Sequence, residues 1–142
     1  MRRLVLICAA ATLLGLPTAA LAIDANALDG TWAGAYECGQ GPTSLTLTLD
    51  GDANGRITGT FSFGPRPNNP NIAAGSFRLE GSAAADQSFT LSGVQWISQP
   101  YNYSMVGIRG RLFTGDKPGD PLKLFGDILG GSGCTKFYAN RQ

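Results

Sequence analysis

The sequence predicts an all-β protein, an antiparallel up-and-down barrel of eight strands. Most of the chain is divided into eight short runs in which apolar and polar residues alternate, separated by Gly, Pro, Asn and Asp. Most links between consecutive runs are short, which is typical of hairpins. Cys38 ends the first run and Cys134 begins the eighth. These two ends are neighbours if the first and last strands pair antiparallel, so one disulfide near the termini would close the barrel.

The alternation is clearest in the second run, where Leu45, Leu47 and Leu49 point one way and the hydroxyl residues between them point the other. The longer segment Gly64–Ile72 is rich in Pro and Asn, and we expect it to project from the barrel. The eight predicted strands are approximately Thr31–Cys38, Thr43–Asp50, Arg56–Phe63, Ala74–Gly81, Ser88–Ile97, Tyr103–Phe113, Pro121–Leu129 and Cys134–Asn140.

The first 22 residues have the order of a secretory signal peptide. Arg2 and Arg3 precede an apolar stretch of 13 residues, and a small-x-small cleavage motif ends at Ala22. This stretch is too short to cross a bilayer of about 30 Å as a helix. We therefore predict a signal peptide over 1–22 and a single secreted or periplasmic domain over 23–142, with no stable membrane span after cleavage.

Composition argues against several classes of function. The chain contains no histidine, which excludes Ser-His-Asp and Cys-His catalysis and most catalytic zinc and haem sites. Without the two arginines of the predicted signal peptide, nine basic and ten acidic residues remain, and the sequence shows no basic stripe that would bind nucleic acid. No nucleophile–base pair or carboxylate pair can be assembled. We expect no enzymatic activity, no cofactor and no nucleic-acid partner.

Three cysteines are present, and Cys8 would leave with the signal peptide. Cys38 and Cys134 remain, an even number in an exported chain, where oxidation is expected. We interpret them as one disulfide that encloses about 97 residues. The alternatives are a thiolate nucleophile or half of a metal site, and both lack the additional His or Cys residues that they would need.

The motif Gly30-Thr31-Trp32 at the start of the first run resembles the Gly-x-Trp signature of lipocalins and the Gly-Thr-Trp opening of avidin-like barrels. The resemblance implies that Trp32 plugs the closed end of a barrel and that a basic residue of the last strand packs over it. Arg141 is placed for that role through a cation–π contact. The stretch from Trp32 to Gly41, with its Cys-Gly-Gln-Gly motif, also resembles small exported bacterial domains of unknown function. The chain lacks a recognisable set of biotin-contacting residues.

The segment from Trp96 to Tyr103 is the richest candidate for a binding surface. Its three aromatic residues, with Asn102 and a second amide around a Pro turn, suit a sugar face, a flat ligand or a protein hot spot. Trp96, Tyr101 and Tyr103 are therefore candidates for the mouth of the barrel. In the alternative interpretation, Trp96 and Tyr103 fill the barrel and only Tyr101 is exposed.

Arg109 and Arg111 are two positions apart and share one face of the sixth run. Inside the barrel, Arg109 would need a partner or an anionic ligand. Val106, Ile108 and Leu112 occupy the opposite parity, which favours a solvent-facing interpretation for the arginines. Tyr103 and Met105 share the arginine parity, so a bulge could reset the alternation.

The turn Asp50–Gly55 matches the opening of a calcium loop, with Asp50, Asp52 and Asn54 as candidate ligands. The twelfth position is Phe61, so the bidentate carboxylate is missing. A hairpin turn that uses Asp, Asn and Gly for their backbone conformations is the favoured interpretation.

Two functions remain compatible with the sequence. In the first, the chain is an exported, non-enzymatic barrel that binds a small apolar or amphipathic ligand at one open end. In the second, the barrel is a solid scaffold, and its Gly64–Ile72 and Gln99–Asn102 loops bind an envelope protein, as an inhibitor or immunity-type protein does. The first depends on an interior that is not filled by side chains.

Overall fold

The computed structural model describes residues 24–142, so the predicted signal peptide lies outside the described residues. Eight antiparallel strands form a closed barrel in which each strand pairs with its neighbours along the chain and the first pairs with the last. The strands are β1 (Gly30–Cys38), β2 (Gly41–Gly51), β3 (Arg56–Gly64), β4 (Gly75–Ala83), β5 (Ser88–Ser98), β6 (Gly107–Phe113), β7 (Lys123–Leu129) and β8 (Lys136–Arg141).

The predicted fold class and all eight strands are confirmed. The largest difference in boundaries is in β6, which begins at Gly107 rather than at Tyr103. The β5–β6 ladder extends only from Ser88 to Leu91 on β5, so residues 103–106 lie outside the regular sheet. Tyr103 and Met105 therefore do not constrain the alternation of β6, and no bulge is needed to explain their parity.

The barrel interior is filled by side chains over most of its height. Every strand contributes side chains that point into the barrel. The sheet register places apolar residues of neighbouring strands opposite one another, as in the row Trp32, Leu47, Phe61 and Phe77 across β1 to β4. The largest fully buried side chains are Trp32, Phe61, Phe77, Phe89, Phe137, Leu45, Leu47, Ile57, Leu79, Leu91, Ile108 and Leu124.

Glycines on the inner face make room for these rings. Gly110 and Gly126 lie opposite each other in the β6–β7 ladder. A Cβ atom at Gly110 would come within 2.9 Å of the Phe137 ring and 3.1 Å of the Phe89 ring. The phenylalanine side chains thus occupy the space that a side chain on β6 would need, which is how a small barrel accommodates large inner residues.

Trp32 and the residues around it close one end of the barrel. A 3₁₀ turn, Asn26–Leu28, crosses this end. The Trp32 ring is fully buried, and its Nε1 donates a hydrogen bond of 2.9 Å to the Leu28 carbonyl oxygen. The Arg141 guanidinium lies 5.1 Å from the Trp32 ring centroid and donates to the Asp29 carbonyl oxygen. The predicted burial of Trp32 and its cation–π contact with Arg141 are confirmed.

The Cys38–Cys134 disulfide lies at the opposite end, where it joins β1 to the segment that leads into β8. The β1–β8 ladder stops at the Tyr36–Phe137 pair, before the end of β1. Beyond it, the Thr135 amide donates to the Glu37 carbonyl oxygen at 3.0 Å. The predicted disulfide is confirmed, and it fastens the seam of the barrel where the regular ladder has ended.

One residue of the connection between β3 and β4, a segment that we expected to project from the barrel, bonds to a neighbouring hairpin. The Asn69 side-chain amide donates hydrogen bonds of 3.0 Å to the Gln40 and Pro42 carbonyl oxygens. These bonds tie the connection to the β1–β2 hairpin. The Pro and Asn content indicated an irregular segment, but composition does not show that an Asn side chain can satisfy carbonyls on a neighbouring turn.

Candidate functional site

The barrel end that carries the disulfide contains a cavity of ≈ 500 Å³, which we call the cup. Four connections meet there, those of β1–β2, β3–β4, β5–β6 and β7–β8. The cup is lined by Tyr36, Cys38, Gly39, Gln40, Phe63, Phe77, Asn102, Tyr103, Ser104, Val106, Gly131, Ser132 and Cys134.

Aromatic rings form the apolar part of the cup. The Tyr103 ring stacks on the Phe63 ring with centroids 5.3 Å apart and planes at 13°. Beneath them the Phe61 and Phe77 rings stack at 4.8 Å, and Tyr36 meets Phe61 edge-on at 5.3 Å. Since these rings support one another through the core, the apolar wall is preorganised rather than dependent on a single loop.

The Tyr36 hydroxyl is a polar group in this apolar wall. It accepts a hydrogen bond of 3.4 Å from the Gln40 amide, which also lies 3.3 Å from the Thr43 hydroxyl. Burial raises the pKa of Tyr36 well above its usual range, and the nearby Tyr103 phenol raises it further. The hydroxyl therefore keeps its proton at neutral pH and can act as a hydrogen-bond donor.

Replacing Tyr36 with Phe should change how the protein responds to alkali. The Tyr36 pKa is raised in the folded state, so this group favours folding below about pH 10 and loses that contribution as pH rises further. Above about pH 10, the free energy of unfolding of the wild type should fall by about 1.4 kcal/mol more per pH unit than that of Tyr36→Phe. Urea unfolding between pH 8 and pH 11.5 measures the two slopes.

A matched control for that experiment is Tyr138→Phe, which removes a hydroxyl from a half-exposed ring on the outer surface. This variant should keep the wild-type slope. Equal slopes for Tyr36→Phe and the wild type would mean that the Tyr36 hydroxyl is hydrated in solution, which contradicts its buried position.

The β5–β6 connection places two of the predicted binding residues at the cup. Asn102 has a left-handed backbone (φ 61°), and the Tyr103 amide donates to the Pro100 carbonyl oxygen at 3.3 Å. The Gln99 side chain donates to the Tyr103 carbonyl oxygen at 3.2 Å. This turn directs Asn102 and Tyr103 toward the cup, while Tyr101 is 90% exposed.

Trp96 is partly buried and packs against the hydrophobic core, as in the interpretation in which it fills the barrel. Its ring is half-buried and meets Phe77 and Phe63 edge-on at 5.3 and 6.3 Å. It is absent from the lining of the cup. The β4–β5 ladder has irregularities around this position, and they change which way the β5 side chains point. Trp96 is the register partner of the inward-facing Phe77, so it supports the ring cluster from the neighbouring strand.

Arg109 lies on the outer face of β6, in agreement with the solvent-facing interpretation. Its side chain is 60% exposed and its Nη2 is 3.9 Å from an Asp127 carboxylate oxygen. A hydrogen bond from Lys136, together with the charges of Lys136 and Arg109, holds the pKa of Asp127 below its usual range. Arg111 pairs with Asp86 at 2.9 Å on the same surface. Arg109 does not line the cup.

The Asp50–Gly55 turn lies at the closed end of the barrel and uses its acidic side chain for its own backbone. One Asp52 carboxylate oxygen accepts hydrogen bonds of 2.9 Å from the amides of Asn54 and Arg56. Within residues 24–142, no group of three or more His, Cys, Asp or Glu side chains could hold a metal ion. The turn is therefore a hairpin stabilised by an aspartate.

The sequence argument missed the part of the cup that β1 supplies. Tyr36 shares the inward parity of Trp32 and Cys38, so alternation alone placed it inside the barrel. Its place at the cup was also implied by the disulfide, since Tyr36 lies two residues before Cys38. Gln40 and Ser132 gave no comparable signal, because their positions depend on how two loops fold toward each other.

Comparisons with known proteins give no match: no family model, no curated protein and no solved structure is significantly similar to this chain. Among the residues that the structure describes, no helix is long and apolar enough to span a bilayer.

Proposed function

We propose that this chain is an exported, calycin-like binding module that holds a small apolar or amphipathic ligand in the cup. One observation carries the proposal: a cavity of ≈ 500 Å³ at a single end of a closed barrel, lined by aromatic rings and a few polar groups. Ligand sites in proteins commonly have volumes of about 300–1,000 Å³ and this mixture of lining residues. The ligand would occupy the cup and not the central interior, because inner side chains fill the barrel below it.

The chemistry of the lining residues is the reason that the proposed function is binding and not catalysis. The lining of the cup contains no carboxylate, no amine and no imidazole, and its two cysteines are joined in a disulfide. The Tyr36 hydroxyl stays protonated, so it is a poor base or nucleophile at neutral pH. These groups can bind and orient a molecule without reacting with it.

Titration with N-phenyl-1-naphthylamine, an uncharged fluorophore that brightens in apolar sites, tests the proposal. The wild type should bind it with one site per chain. Ser132→Trp should weaken binding about tenfold or more, because a large ring at this exposed rim position would occupy the cup. Circular dichroism should show that the barrel remains intact in the variant.

Tyr101→Ala is the matched control, since it removes a ring from the same end of the barrel that does not line the cup. Its affinity for the fluorophore should equal that of the wild type. No binding by the wild type, or equal binding by Ser132→Trp, would refute a ligand site in the cup.

A second candidate function is a scaffold that binds an envelope protein through its loops. The 90% exposure of the Tyr101 ring, beside a strained Asn102 backbone, favours this candidate. Native mass spectrometry of the protein isolated from its own envelope or medium separates the two. A retained small-molecule adduct supports the cup, and a co-isolated chain that Tyr101→Ala no longer retains supports the scaffold.

A further inference from the structure

We propose that the cup selects uncharged ring compounds that carry a hydrogen-bond acceptor, and that it rejects anions and cations of the same shape. This inference rests on the proposed function, because it names the class of ligand for the same site. It follows from the charges, the rings and the unused polar groups of the lining, taken in turn.

The lining of the cup is electrically neutral. None of its thirteen residues is Asp, Glu, Lys or Arg. Glu37 lies between two lining residues, Tyr36 and Cys38, but alternation along β1 turns it outward, where it is exposed. A charged ligand group would lose water and gain no ion-pair partner, which is strongly unfavourable. The cup therefore favours neutral molecules.

Ring compounds fit the apolar side of the cup best. Tyr36, Phe63 and Tyr103 each contribute ring surface to the lining. Aromatic pairs prefer offset-stacked or edge-on contacts with centroids about 4.5–7 Å apart. A ligand ring can make these contacts with several walls at once, whereas a flexible chain loses more conformational freedom on binding.

The polar side of the cup offers hydrogen bonds that the protein does not use itself. The Gln40 amide donates to the Tyr36 hydroxyl oxygen, and this hydroxyl, which also interacts with Thr43, can reorient to donate its proton to a ligand. Within residues 24–142, the side chains of Asn102, Ser104 and Ser132 donate or accept no hydrogen bond in the structure. A carbonyl or hydroxyl oxygen on the ligand would find a donor at Tyr36.

Three naphthalene compounds of nearly identical shape test the charge rule. Isothermal titration at pH 7 compares 2-naphthamide (neutral), 2-naphthoate (anionic) and 2-naphthylmethylammonium (cationic). We expect the amide to bind the wild type about tenfold or more tightly than either ion. Binding of either ion as tight as that of the amide would overturn the inference.

The same titration with Tyr36→Phe tests the hydrogen bond. Removing one hydroxyl should weaken 2-naphthamide binding about fivefold and leave the affinity for naphthalene, which has no acceptor, unchanged. Tyr138→Phe makes the same chemical change outside the cup, and its affinities should equal those of the wild type. An unchanged affinity of Tyr36→Phe for 2-naphthamide would overturn the role of Tyr36.

The two proposals fail in different ways. If N-phenyl-1-naphthylamine and all three naphthalenes fail to bind, the proposed function itself is wrong. If N-phenyl-1-naphthylamine binds in the cup but the naphthalenes do not differ, or none of them binds, the ligand site stands and the selection rule is wrong.

Discussion

Trp32→Ala should lower the free energy of unfolding by about 3–5 kcal/mol, the range for removing a large buried aromatic side chain. The Trp32 ring is fully buried at the closed end of the barrel, where it bonds to the 3₁₀ turn and packs under Arg141 of β8. Its loss leaves a cavity, frees the Leu28 carbonyl oxygen and removes the surface over which Arg141 packs. Urea unfolding followed by circular dichroism measures the change.

Two further variants keep this prediction informative if Trp32→Ala does not fold. Trp32→Phe retains most of the ring but not the hydrogen bond to Leu28, and should lower stability by about 1–3 kcal/mol. Trp96→Ala removes the other, half-buried tryptophan, and should be the milder of the two alanine substitutions. If Trp96→Ala lowered the free energy of unfolding as much as Trp32→Ala or more, Trp32 would not be the main stabilising residue of the closed end.

Replacing both Cys38 and Cys134 with Ala should lower the free energy of unfolding by about 2–5 kcal/mol. The two cysteines are separated by 96 positions, so the bond restricts a large loop in the unfolded chain. In the chain-entropy model a loop of this length contributes about 4–5 kcal/mol. The free energy of unfolding extrapolated to zero urea reports the loss, and the slope of urea unfolding should rise because the unfolded chain without the bond is more expanded.

Wild-type protein under a reducing agent is the control for this double variant and should lose stability by a similar amount. The disulfide also lines the cup, so the reduced protein and the double variant should bind N-phenyl-1-naphthylamine more weakly than the oxidised wild type. A loss below about 1 kcal/mol would mean that the β1–β8 ladder closes the barrel without help from the disulfide.

Because side chains fill the barrel interior, a ligand would have to bind at the end of the barrel rather than inside it. Phenylalanine and leucine side chains fill the barrel interior below the cup, one of the two possibilities that the sequence left open. The irregular β5–β6 connection creates the cup above this core, because residues 103–106 leave the sheet before β6 begins. A solid barrel and a ligand site can therefore occur in the same molecule.

The fold class, the eight strands and the seam disulfide could be predicted because local alternation and antiparallel register are visible in the order of the residues. The contact between Trp32 and Arg141 followed from this register together with the Gly-x-Trp resemblance. Arg109 followed from the same rule: alternation along β6 turned it to solvent.

The sequence did not predict which residues line the cup, how the β3–β4 connection runs or where Trp96 lies. These depend on how loops from three hairpins pack against one another, on a single Asn side chain that bonds a distant turn, and on irregularities within β5. Such contacts join residues far apart in the chain and follow no period. The barrel is thus a property of patterns along the chain, and the candidate site is a property of contacts between loops.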